Sequence, residues 1–249
     1  MTRTHQFEAM LPREFRAEFE RAPVIYCPFG SVEYHGTHQS MAIDFSKGHV
    51  ICLRAAAISG GVVHPTIPIV PGGVPPRTME ELKKFNFQAC PGVFGDRDLC
   101  WDIIAGLADF FAECLKFKLC VLFGAHGPAG HMVKAFAEKC GGMVSGMHLL
   151  AIGLGDYIKD ELLKAKAKYG LKNSGAHGGL WETSINMAID PSGVDLSELD
   201  KPFDGFYEMG PEVVAENRHA TAEFGEFLIN TCAKRLAEDV RKMLVESDV

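Results

Sequence analysis

The chain is poor in several things that would direct its reading elsewhere. It has two tryptophans in 249 residues and no apolar run of about 18 residues, so no membrane-spanning helix is expected. Its opening stretch, MTRTHQFEAMLPREFRAEFERAP, mixes charges throughout and lacks an apolar core, so no secretion signal is expected. No CxxC occurs among its eight cysteines, and most lie inside apolar runs. Buried free thiols in a reducing cytoplasm are expected, rather than a disulfide framework or a zinc knuckle. No GxGxxG follows a strand-like run and no GKS or GKT appears, which removes the dinucleotide fingerprint and the P-loop. Basic charge is not in excess: 25 Lys and Arg stand against 32 Asp and Glu, for a net charge of -7 and a pI near 5.8. That balance leaves no electrostatic footprint for nucleic acid or an anionic membrane. With no repeat, low-complexity tract or Ser/Gly linker, one domain over 1–249 is expected.

What is present is ordinary soluble-protein composition, 47% hydrophobic and 23% charged. A chain of this length buries roughly 70–75% of its unfolded surface, enough to fold without disulfides or structural metal. Strand-like and helix-like segments alternate, which favours a layered α/β fold. The spacing predicts helices over 12–21, 46–59 (Ser46 as N-cap), 98–116 (Asp98 near its start), 129–140, 156–169, 180–189 and 219–245. Apolar runs predict strands over 23–29, 118–127 and 143–153. The proline-broken 62–70 reads as an edge strand or loop, and 71–77 as a loop before a charged segment.

Three polar clusters sit at strand ends or helix starts. The first is FGSVEYHGTHQSMAID, residues 29–44. Glu33 and His35 are two apart and share a face if the chain stays extended. His38 and Asp44 follow within reach. Glu, His and Asp form a mixed N/O set suited to zinc, manganese or iron. A solvated loop with incidental histidines is the plainer alternative. The second is FGAHGPAGH, residues 123–131, where His126 follows an apolar strand at the edge where ligands collect in open α/β sheets. A surface histidine in a Gly-rich turn is the alternative, and His131 is expected to face elsewhere on the next helix. The third is GAHGGLWETS, residues 175–184, with His177 before a helix and Glu182 in its first turn. Glu182 is either a dipole-stabilised helix-start carboxylate or a metal ligand, and His177 a proton shuttle. Ser31 and Ser184 lack a nucleophile-elbow context. Cys27 and Cys120 read as core, and Arg77 as a solvated loop arginine.

GSVEYHGTHQSMAID, FGAHGPAG, AHGGLWETS, ENRHATAEFGE and the PGV at 91–93 resemble the creatininase (creatinine amidohydrolase) family. The matched pieces run in order from about 24 to 235. The resemblance implies a three-layer α/β/α fold with a parallel-rich sheet, a two-metal site and a hexamer. Carried over by position, it implies that Glu33 binds one metal and His35 the other, with Asp44 bridging. His126 would join the second metal. Glu182 matches the family's late metal carboxylate, with a catalytic role also open to it, and His177 a proton-transfer histidine. Tyr34, Gly127 and Trp181 are expected to contact substrate. Departures from the family pattern are Pro128 and Ala176 where creatininase carries glutamates, and Tyr34 and Thr37 in place of the common Gln and Pro. No tryptophan lies between 127 and 176 to stack creatinine, so creatinine is not the expected substrate.

The chemistry this implies is hydrolysis of a C–N bond in a small amide, cyclic amide or formamide. A divalent ion lowers the pKa of bound water from about 15.7 toward about 7, which makes water a usable nucleophile. Two alternatives stay open. The same metal set would serve a cyclic sugar- or inositol-derived ketone, and a non-catalytic ligand-binding relative would hold no metal.

Overall fold

A computed structural model describes residues 5–88, 91–172, 177–201 and 210–246. Cys90 and Ala176 lie outside the described residues.

After a 3-10 turn over Phe7–Ala9, α1 (Pro12–Arg21) runs into β1 (Val24–Phe29), which is buried on both faces. A short β2 (Val32–Glu33) leads to α2 (Ile43–Ser59). Then come β3 (Val62–Val63), β4 (Val70–Pro71), α3 (Met79–Gln88), β5 (Gly92–Gly95) and α4 (Arg97–Glu113). The second half holds β6 (Leu119–Gly124), α5 (Gly127–Lys139), β7 (Met143–Val144), β8 (Met147–Gly153) and α6 (Leu154–Tyr169). It closes with α7 (Leu180–Ile189), α8 (Pro211–Asn217) and α9 (Ala222–Glu246).

The main sheet has the order β3-β1-β6-β8-β7, parallel except for the β7/β8 pair. Central parallel strands bury both faces, which is why VIYCPF and LCVLFG are almost wholly apolar. Side chains alternate between two cores. Val24, Tyr26, Val121 and Phe123 pack against α2, α6, α7 and α9. Ile25, Cys27, Cys120 and Leu122 pack against α4 and α5. The result is the expected α/β/α layering. A small second sheet, β2-β5-β4, pairs Glu33 opposite Gly92.

Several local expectations shift. Helix α2 starts at Ile43, so Ser46 lies inside it and caps nothing. Asp98 lies in the first turn of α4 as expected, and the cap is Asp96, which accepts from the Leu99 N–H at 2.9 Å. The run 143–153 is two antiparallel strands joined at Ser145 and Gly146, both at positive φ (48° and 83°), a geometry suited to a two-residue hairpin. The last helix starts at Ala222 and is preceded by α8. Among the described residues no helix is long and apolar enough to cross a membrane.

Two glycines fix how elements meet. A Cβ on Gly30 would lie 2.2 Å from the Asp44 carbonyl oxygen, so only glycine lets β1 end against the start of α2. A Cβ on Gly225 would lie 1.9 Å from the Ser184 carbonyl oxygen, so glycine is what lets α9 approach α7 this closely.

Candidate metal centre

The site gathers at the C-terminal ends of β1 and β6, where α/β sheets collect ligands. Glu33 ends β2, held by its pairing with Gly92 and by the Tyr34 N–H donating to Pro91 O at 2.8 Å. His35 Nδ1 lies 2.9 Å from the Glu33 carbonyl. A carbonyl only accepts, so Nδ1 carries the hydrogen and Nε2 turns into the site. Asp44 sits in the first turn of α2, where its Oδ2 accepts from Ser31 Oγ at 2.9 Å. His126 caps the start of α5. Its Nε2–H donates to Pro71 O at 3.1 Å, which leaves Nδ1 facing Asp44 Oδ2 and Glu33 Oε1, both at 2.9 Å. Glu182 lies in the first turn of α7, and its Oε2 accepts from the Gly178 N–H at 2.7 Å.

Three overlapping donor sets result: Glu33, Asp44 and His126; His35, Asp44 and Glu182; and Glu33, His35 and His177. Within each, the ligand atoms lie within 4.8 Å of one another. The grouping differs from the expected one. His126 lies with Glu33, while Glu182 lies with His35. Glu33 Oε1 is met by His126 Nδ1 at 2.9 Å, and His35 Nε2 is buried without a hydrogen-bond partner. Buried polar atoms are rarely left so, and a mixed N/O set of this kind fits a divalent cation.

His177 contacts the cluster from the cavity side. Its Nε2 donates to the Tyr34 carbonyl at 2.7 Å, its Nδ1 lies 3.9 Å from Glu33 Oε1, and its ring stacks on His35 at 4.2 Å. His38 is not brought into the cluster. It lies behind it, with Nε2 2.8 Å from Thr183 Oγ1, and burial with the nearby His35 lowers its pKa to about 4.

Sequence reasoning missed Lys47. It is fully buried, ion-paired to Asp44, and donates from Nζ to Glu182 Oε1 at 2.6 Å. The Trp181 ring lies over the same ammonium, 4.3 Å from centroid to Nζ. One signal was available: Lys47 falls three residues after Asp44 on one helix, hence on the same face.

The charges sustain one another. Burial opposes ionisation of Asp44, but Lys47 and then His35 outweigh it and hold its pKa well below the usual range. Glu182 is lowered to about 2 against the same burial, chiefly by Lys47 and His35. Burial also opposes charge on the two histidines. Asp44 and Glu182 nonetheless raise His35 well above its ordinary value, and hydrogen bonds to Asp44 and Glu33 push His126 up to about 9.

A cavity of about 430 Å³ opens beside the cluster, lined by Asp44, His126, Gly127, His177, Trp181 and Glu182. Gly127 and Trp181, two of the residues expected to contact substrate, are in its wall. Tyr34 is instead buried, meeting His177 through its carbonyl. His131, expected to face elsewhere, lines the same cavity with Lys134 and Asp156, themselves paired at 2.5 Å. The reason is the helix start at Gly127: His131 falls one turn in, back over the strand ends.

Fold and site together define a metal-dependent amidohydrolase. The chain belongs to the creatininase family, whose match, described as creatinine amidohydrolase, covers residues 8–240. A creatinine amidohydrolase of Pseudomonas putida is 23% identical over 244 residues, covering 88% of this chain and 89% of that protein. A solved structure of a manganese creatininase superposes with a TM-score of 0.70 at 19% identity, covering 96% of this chain and 98% of that one. A zinc–zinc form of a creatininase variant gives a TM-score of 0.64 at 20% identity over the same shares.

Proposed function

We propose that this chain hydrolyses a C–N bond in a small amide, cyclic amide or formamide, using water activated at a divalent metal (zinc, manganese or iron). The observation that carries the reading is the convergence of Glu33, Asp44, His126 and Glu182 around the buried His35 Nε2, which has no hydrogen-bond partner. When bound there, such an ion supplies Lewis acidity, making water nucleophilic near neutral pH and polarising a carbonyl.

The chain's own residues do the rest. Glu33, Asp44 and Glu182 bring negative charge to offset the ion. The Pro71 and Glu33 carbonyls fix the tautomers of His126 and His35, so each ring presents one nitrogen inward. Glu182, held by the Gly178 N–H and by Lys47, stays ionised at the reacting centre. His177 is anchored through Nε2 and directs Nδ1 toward Glu33, which suits it to carry a proton to the leaving nitrogen. Trp181 and Gly127 line the cavity and position the substrate. A hexamer belongs to the same reading, supported by the family resemblance alone and checked by light scattering.

The test is a panel of lactams, formamides and cyclic keto-polyols, run with metal-loaded and chelator-treated protein and with Asp44→Ala. Turnover of an amide or formamide that needs metal and is lost in Asp44→Ala is expected. Turnover confined to keto-polyols would move the reading to the ketone alternative. Full amide turnover by metal-free Asp44→Ala would end it.

A further inference from the structure

The cluster already contains a cation of its own. Lysine is almost never fully buried unless paired, and Lys47 is both. Its ammonium contacts Asp44 Oδ1 and Glu182 Oε1, the latter at 2.6 Å. Those are the two oxygens that face His35 Nε2, at 3.4 and 3.7 Å. The carboxylates of the His35, Asp44 and Glu182 set are thus directed at an ammonium. Asp44 divides its oxygens, turning Oδ1 to Lys47 and Oδ2 to His126. The Glu33, Asp44 and His126 set instead gathers that second oxygen and Glu33 Oε1, each 2.9 Å from His126 Nδ1.

Charge points the same way. Three buried carboxylates (Glu33, Asp44 and Glu182) and one buried ammonium leave two negative charges. The formal charge of one divalent ion matches that deficit. Two such ions would leave an excess of positive charge in a buried setting, where uncompensated charge is costly. The turn after His126 adds no further carboxylate, for it continues Gly127, Pro128, Ala129.

We infer that Lys47 takes the seat of a second cation, so that this chain holds one divalent ion, between Glu33, Asp44 and His126, with the lysine ammonium bridging Asp44 and Glu182 beside it. The inference rests on the metal-dependent reading above and changes the expected pair of ions to one ion and one lysine.

The experiment measures bound metal rather than activity. The full chain is stripped with chelator, reloaded with Zn²⁺ or Mn²⁺, freed of unbound ion and weighed by native mass spectrometry. One ion per chain is expected for the wild type and two for Lys47→Met, whose side chain has similar length and no charge. Two ions in the wild type overturn the inference while leaving the metal-dependent reading standing. One ion in a folded Lys47→Met overturns it too, because the lysine is then not what fills the seat. No ion in the wild type overturns the metal-dependent reading itself, and this inference with it. Should Lys47→Met fail to fold, anomalous scattering from zinc-loaded wild-type crystals decides. A single peak at Glu33, Asp44 and His126 is expected, and a peak between Asp44 and Glu182 would overturn the assignment.

Discussion

Replacing Asp44 with Asn in metal-free protein removes one charge at nearly constant volume. Asp44 accepts from Ser31 and His126 and is ion-paired to Lys47, all with little or no solvent access. After the change, Lys47 keeps Glu182, among the described residues, as its one charged partner at contact distance. Removing one member of a buried ion pair costs roughly 3–5 kcal/mol, because the other charge is left uncompensated. For a chain of this length each kcal/mol lowers the melting midpoint by about 2–4 °C, so a fall of roughly 6–20 °C is expected. The assay is urea unfolding at pH 7 in chelator, followed by circular dichroism, with a thermal melt alongside. A double-mutant cycle with Lys47→Met isolates the pair, and residues in contact give roughly 0.5–3 kcal/mol of coupling. A single-mutant cost under about 1 kcal/mol, or additivity within about 0.5 kcal/mol, would refute the buried ionic network.

Stability of the metal-free protein should depend on pH in a stated direction. His126 is pushed up to about 9, against about 6.5 in an unfolded chain, so its contribution is complete below about pH 6.5 and disappears as pH climbs through 9. Denaturation curves should show a loss on the order of 3 kcal/mol across that window, and a flat profile would refute the pairing. Glu182 acts oppositely: its contribution is present above the unfolded carboxylate value near 4 and is lost as pH falls through about 2. Metal uptake must displace the proton on His126 Nδ1, so zinc affinity measured by chelator competition should rise about tenfold per pH unit between pH 7 and 8.5; affinity independent of pH would contradict it. Gly225→Ala places a methyl 1.9 Å from the Ser184 carbonyl oxygen and should cost roughly 1–3 kcal/mol in equilibrium unfolding. An unchanged midpoint would mean that α7 and α9 separate freely.

Much of the frame was legible because its elements carry their own pattern. The apolar runs of β1 and β6 are buried on both faces, and His126 follows the second of them directly. Glu182 was readable as a first-turn carboxylate because α7 starts where the glycines stop. What depends on distant partners was not legible. The two-residue β2 exists only because it pairs with β5, some 60 positions on. The β7/β8 hairpin hides inside a continuous apolar stretch, and only Ser145 and Gly146 mark its turn. Lys47 escaped because a lysine in a helix is ordinarily a surface residue. Its burial is decided by Glu182, 135 residues away. The pairing of donors escaped likewise, since spacing places Glu33 and His35 together but not which of them meets His126.

The indole resting on the Lys47 ammonium makes the cavity wall an optical probe. Trp101, the other tryptophan, lies against Phe136 and beneath Lys139 in the core on the opposite side of the sheet. With Trp101→Phe, all tryptophan emission comes from Trp181, whose ring senses the local electric field. Arrival of an ion or a small molecule therefore becomes visible as a change in colour or brightness of the unlabelled protein, before any substrate has been found.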